Sequence, residues 1–192
     1  MLQAAGKLLQ SGRVPSVSEV ADAAEVSRRT AYRYFPTQEQ LLAESALEAL
    51  RPMVLESFEG APGDAEHRVE LLAREVQRLA YQYEGALQTI LKLSLERRLG
   101  AEKQVPVVPG ARRGVRRISW IESALEPVRK RLGNPKFQRL ISAVSLVIGI
   151  EAVLVLRDIR GLSQEESIET SVWAARELLK AALNSRPGSK MS

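Results

Sequence analysis

Apolar residues recur along this chain at intervals of three and four, and runs of strictly alternating apolar and polar residues are nearly absent. That spacing gathers apolar side chains on one face of a helix, not on one face of a strand, and predicts an all-α fold. A first helix is expected over residues 1–11, with Gly12 placed for a left-handed C-terminal cap. Ser18 is expected to cap a short second helix ending at Ala24, and Ser27 a third ending near Tyr34. Pro36 stops the third. Thr37 with Gln40 reads as a capping box opening a fourth, which Pro52 ends or kinks. Longer helices are predicted over residues 65–83, 85–99, 115–132, 135–159 and 164–184, the last opened by a capping box of Ser163 and Glu166.

The turn-rich stretch EGAPGD at residues 59–64 suggests a border between two portions of chain, and the expected division is a small module, 1–50, and a larger helical domain, 51–192. Residues 100–114, with Pro106, Pro109 and several cations, read as an exposed loop, and the polar tail 185–192 as mobile.

One run needs a separate decision. Residues 140–156, LISAVSLVIGIEAVLVL, carry a single charge, Glu151. At ~1.5 Å per residue the run reaches only ~26 Å, short of a bilayer core, and its neighbours are amphipathic, so no membrane span is expected. A helix apolar all round is then buried on both sides, one facing the domain core and the other a second copy of the chain. The final helix carries a stripe of Ile168, Val172, Ala175, Leu179 and Ala182 at helical spacing. Together these two helices predict a four-helix contact in a homodimer.

Composition narrows the chemistry. Apolar residues make up 45% and charged residues 27%, which is the profile of a chain that folds. With no cysteine there is no disulfide framework, thiolate metal site or thiol catalysis, and any histidine chemistry would rest on His67 alone. No Gly-rich phosphate loop and no paired-carboxylate motif is present, so neither an enzyme nor a metal site is expected. No leader-like segment opens the chain, and a cytoplasmic protein is the simplest expectation. The net charge of +5 is unevenly spread: residues 1–50 hold five cations against six acids, whereas residues 97–117 hold Arg97, Arg98, Lys103, Arg112, Arg113, Arg116 and Arg117 against Glu102. Bulk charge therefore does not locate a nucleic-acid surface.

Local pattern does. Residues 16–44, SVSEVADAAEVSRRTAYRYFPTQEQLLAE, place Ala21, Ala24, Val26 and Ala31 where two short helices cross, so that a helix-turn-helix can close tightly. Arg28, Arg29, Thr30, Tyr32, Arg33 and Tyr34 crowd the first two turns of the second of these helices, where base edges and phosphates are met.

Through the run VADAAEVSRRTAYRYFPTQEQLL the chain resembles the TetR family of bacterial transcriptional regulators, in register over about thirty residues. The resemblance implies an N-terminal helix-turn-helix domain followed by a C-terminal helical bundle that senses a ligand and dimerises. Ser16 or Ser18, together with Tyr34, would then hold phosphates, with Ser27 at the start of the recognition helix and Gln38 also at the DNA, one phosphate contact short of the family's lysine. Arg28, Arg29, Thr30, Tyr32 and Arg33 would face the major groove. The implied partners are a pseudo-palindromic operator, a second copy of the chain and an unidentified small-molecule effector, without a cofactor. For the effector pocket, the expected lining is Tyr81, Tyr83, Leu87, Ile90, Leu91, Ile118, Trp120, Ile121, Leu125 and Glu151, with Glu151 also expected to pair with Arg157 or another cation. The family often has glycine where Glu25 stands and lysine where Gln38 stands, and many relatives have a basic arm ahead of the first helix; modest DNA affinity, or a native start other than Met1, is expected from these departures. The competing reading is a helical protein-interaction module without sequence-specific DNA binding.

Overall fold

The structure is a computed structural model that describes residues 1–59, 64–99 and 115–184. The border residues 60–63, the basic loop 100–114 and the tail 185–192 lie outside the described residues. The described residues are helical and contain no strand. They form two units: Met1–Pro52 with Tyr83–Val115, and Met53–Gln82 with Arg116–Ser192. The units are thus not two consecutive blocks of chain.

In the first unit the helices are α1 (Leu2–Gln10), α2 (Val17–Ala23), α3 (Arg28–Tyr34), α4 (Gln38–Glu48) and α7 (Glu84–Leu99). Ala5, Val17, Val20, Ala21, Ala31 and Leu41 form its core, with Leu2, Leu8 and Phe35 packed against it. Because alanines occupy the crossing, the short helices approach closely without a bulky side chain to fill between them. Helix α4 packs on α1 and on α7. It ends at Glu48, before Pro52, which sits at the second position of α5 (Arg51–Glu59), where its missing N–H breaks no hydrogen bond.

The cap of the second helix is a correction. Ser16, not Ser18, is its N-cap: its hydroxyl accepts the Glu19 amide at 3.2 Å, and the Glu19 carboxylate accepts the Ser16 amide at 2.8 Å. Ser27 caps α3 as expected, accepting from the Thr30 amide at 3.2 Å. Gly12 adopts φ +79° past the end of α1.

The second unit holds α6 (Ala65–Gln82), α8 (Val115–Leu125), α9 (Arg129–Leu132), α10 (Asn134–Val147), α11 (Ile150–Leu154) and α12 (Gln164–Asn184). The expected single helix over 115–132 is interrupted by a 3-10 turn at Glu126–Val128, where Pro127 cannot continue the ladder. Helix α6 packs along α12, and α10 crosses both α12 and α11. Val69, Leu72, Val76, Ile121, Phe137, Ile141, Val172 and Leu179 are among the buried side chains. Ion pairs flank the α6–α12 seam, Arg74 with Glu169 and Glu66 with Arg176 and Lys180. Arg68 donates to the carbonyls of Ser123 and Ala124 at the end of α8 and to that of Phe58 near the end of α5, supplying donors that a helix C-terminus lacks.

The apolar run 140–156 is not one helix. It breaks at Ile148–Gly149 with a 45° bend, and the turn Val155–Ile159 is π-helical. Ile148 is extended and Gly149 takes φ +97°, a conformation open only to glycine at this ψ. The freed backbone groups are claimed by buried side chains. Gln77 Oε1 accepts the Gly149 amide at 2.6 Å while its Nε2 donates to Ser171 Oγ at 2.8 Å, and Arg117 Nη1 donates to the Ile148 carbonyl at 3.0 Å. No single described helix is long and apolar enough to cross a membrane.

Within the single chain the run buries one side and leaves Leu146 and Val155 exposed on the other. On α12 the predicted stripe faces the chain's own core: Val172, Ala175 and Leu179 are buried, and Ser167 and Ser171 share that face because their small side chains let α6 approach.

Candidate nucleic-acid interface

Helix α3 has a sharp division of faces. Ala31 is fully buried against α2, and Thr30 and Tyr34 beside it are half-buried, so one side of the helix is anchored. At 100° per residue Arg29 and Arg33 lie opposite Ala31, while Tyr32 and Arg28 flank it on one side, and all four are exposed. Three guanidinium groups and a phenol thus project together from a seven-residue helix.

Each of the expected DNA-contacting residues can be placed. Ser27 donates to Thr30 Oγ1 at 2.9 Å, so these two form the cap of α3 and help fix its start. Tyr32 Oη and Ser18 Oγ lie 3.2 Å apart, linking α3 to α2. Arg33 stacks over the Tyr34 ring, 5.3 Å from its centroid, which holds both near the helix end. Ser16 is the α2 cap. Gln38 Nε2 donates to the Pro15 carbonyl at 3.1 Å, fastening the start of α4 to the segment before α2.

Carboxylates sit among these cations. Arg28 Nη2 donates to Asp22 Oδ2 at 2.9 Å, a bond that holds the Asp22 carboxyl below its ordinary pKa. Arg13 pairs with Glu19 at 2.8 Å. The Glu19 carboxyl is also held low, mainly by the Ser16 backbone and side-chain hydrogen bonds and then by Arg13. Sequence reading missed Asp22 because it lies six positions before Arg28, outside the three- and four-residue spacing that signals a pair on one helix.

The turn between α2 and α3 is tight. The Val26 amide bonds to the Ala21 carbonyl at 2.9 Å, and Glu25 takes φ +55°, the left-handed conformation that a side chain disfavours. The glycine common at this place in the resembled family is therefore explained by geometry.

The candidate pocket residues divide between the units. Tyr83, Leu87, Ile90 and Leu91 belong to the first, and Tyr81, Ile118, Trp120, Ile121, Leu125 and Glu151 to the second. Ile121 and Leu125 are fully buried core. Glu151 has a cation partner, Arg117, at 2.7 Å. Tyr81 Oη, Trp120 Nε1 and Arg117 Nε are buried without a hydrogen-bond partner among the described residues. His67 is exposed, and among the described residues no group of three His, Asp or Glu side chains is placed to hold a metal ion.

Comparison with known proteins agrees with the geometry of the first unit. Residues 13–45 match the family model described as bacterial regulatory proteins, tetR family. No curated protein and no solved structure gives a significant match. The matched span takes in α2, α3 and most of α4, the helices that build the cationic face. Over residues 13–45, the span that builds the helix-turn-helix, the chain is therefore similar to the bacterial regulatory proteins of the tetR family.

Proposed function

We propose that the chain is a ligand-responsive repressor that binds a pseudo-palindromic operator as a homodimer. The observation that carries the reading is the exposed face of Arg28, Arg29, Tyr32 and Arg33 on a helix anchored by Ala31 within the matched span. Such a face reads base edges with its guanidinium forks and binds phosphates with its hydroxyls. Ser16, Ser18 and Tyr34 border that face and serve the backbone; residues 1–50 are the DNA-binding domain and 51–192 the sensing and dimerising one.

Dimerisation through the last two long helices is supported by large apolar side chains left uncovered on them and their continuation: Leu146 at 76% exposure, Ile159 at 77% and Trp173 at 64%. Monomeric surfaces scatter such residues singly, and their gathering on neighbouring elements marks a contact surface. A groove between α10 and α12, lined by Leu140, Ala143, Leu178 and Ala182 together with Lys136 and Arg139, would receive side chains of a second copy. Two copies related by a twofold axis would set their recognition helices about one DNA turn apart. DNA as partner places the protein in the cytoplasm.

Effector sensing is supported by Tyr81 Oη, Trp120 Nε1 and Arg117 Nε, buried donors without a partner among the described residues, which a bound molecule bearing oxygen acceptors would satisfy. No catalytic role is proposed.

The test is selection from a random duplex pool with the purified chain and with the Arg28→Ala, Arg33→Ala double variant. Enrichment of one pseudo-palindrome by the native chain, lost in the variant, is the expected result. Failure of the native chain to enrich any sequence at low salt would reject the proposal and favour a protein-interaction module.

A further inference from the structure

Among the described residues Arg28 is the cation of α3 that pairs with a carboxylate, and that carboxylate lies on the face proposed to meet DNA. Arg28 opens α3 and Asp22 lies in the last turn of α2, with side chains 64% and 60% exposed. Asp22 Oδ2 accepts from Nη2 at 2.9 Å and Oδ1 from Nε at 3.4 Å, so the carboxylate lies along one edge of the guanidinium. The group is a rigid planar fork with five N–H donors. Its outer edge, Nη1 with the second Nη2 hydrogen, has no partner among the described residues. That outer edge presents two parallel donors, and in the major groove guanine answers them with adjacent acceptors, N7 and O6.

Stability does not account for the pair. An exposed ion pair contributes little to folding, and a carboxylate beside the duplex opposes the attraction to phosphates on which general affinity depends. Its geometry does account for it, because a guanidinium held along one edge loses the freedom to swing to a nearby phosphate, a contact that carries no sequence information.

We propose that Arg28 reads one guanine in each half-site and that Asp22 is the positioning residue that holds its outer edge toward the base. Asp22 itself touches no DNA. The assignment rests on the DNA-binding reading above and adds to it a base identity and an acidic specificity residue. Asp22 sharpens discrimination while it weakens binding to DNA in general.

The experiment titrates the native chain and the Asp22→Asn, Asp22→Ala and Arg28→Ala variants against labelled duplexes. The duplexes are the selected operator, operators with each symmetric guanine pair replaced, and an unrelated sequence. Thermal unfolding by circular dichroism verifies that each variant is folded. For the native chain, replacing one symmetric guanine pair should weaken binding on the order of tenfold to a hundredfold, and Arg28→Ala should abolish that difference. Both Asp22 variants should shrink it about fivefold or more while binding the unrelated duplex as tightly as the native chain or tighter, since a negative charge has gone. Three results would overturn the assignment: full discrimination retained without Asp22, weakening of all duplexes alike, or base preferences that ignore Arg28. A native chain that distinguishes none of the duplexes would reject the regulator reading itself, and the assignment with it.

Discussion

Two polar arrangements in this molecule use similar chemistry to opposite ends. On the face of α2 and α3, Asp22 bonds Arg28 and Ser18 bonds Tyr32, all partly or fully exposed. In the second unit, Gln77 bridges the Gly149 amide and Ser171, with Gln77 and Ser171 almost fully buried. Water competes for the first set, so breaking it costs little and DNA can replace it. Nothing replaces the second set, so a lost partner leaves a desolvated group unpaired. Exposed links are therefore free to be exchanged for a partner, while buried links set the shape of the fold.

The largest expected effect comes from emptying the buried arrangement. Gln77→Ala removes a buried side chain and orphans both the Gly149 amide and Ser171, and should lower unfolding stability by about 2–4 kcal/mol in urea titration. Gly149→Ala tests the same place from the backbone side. Its Cβ would overlap Arg117 Nη1, and φ +97° is hostile to any side chain. A loss of roughly 2–3 kcal/mol is expected, with the lower urea midpoint as readout. Stability unchanged in either variant would break the comparison.

The apolar face of the second unit is tested in turn by Leu146→Glu with Trp173→Glu. Charges on these exposed residues should leave the helical circular dichroism spectrum of the folded subunit unaltered while shifting sedimentation from dimer to monomer. A dimer that persists would move the interface elsewhere.

On the exposed face the expected pattern reverses. Tyr32→Phe removes the link to Ser18 yet should change stability by no more than about 0.5 kcal/mol. On the proposed function it should weaken operator binding, measured by fluorescence anisotropy, because the phenol hydroxyl would be a donor to DNA. Glu25→Gly should raise stability, by about 1 kcal/mol or less, by relieving the left-handed strain at φ +55°.

The smallest effect is the acid response of the same face. Glu19 and Asp22 titrate below their ordinary values of 4.5 and 3.8 when folded. A carboxyl whose folded pKa is depressed contributes stability above its unfolded value and loses it as pH falls through the folded one. Unfolding midpoints of the native chain and of Glu19→Gln should therefore differ slightly at pH 7 and converge as pH falls from 4.5 through the lower folded value of Glu19.

How legible each region was in the sequence follows from how local its determinants are. The helix-turn-helix was read within two residues because caps, alanines and Pro36 all act within a few positions of the element they shape. Ser16 was overlooked as a cap although Glu19 stands three positions on, the spacing of a capping box. Pro127 was likewise a visible interruption passed over. The break at Gly149 was not legible. A glycine between isoleucines in an apolar run reads as helix, and the residue that receives its amide, Gln77, lies 72 positions away. The return of α7 to the first unit is equally non-local. Of the site, the cations of α3 were evident from the sequence, whereas Asp22 became visible only when α2 and α3 were folded together.

The most direct test of the DNA assignment is amide hydrogen exchange of the native chain with and without its selected operator at physiological salt. The account predicts slowed exchange in residues 16–20 and 27–34 on operator binding. Slowing confined to other segments, with the amides of α3 exchanging as in the free chain, would contradict it.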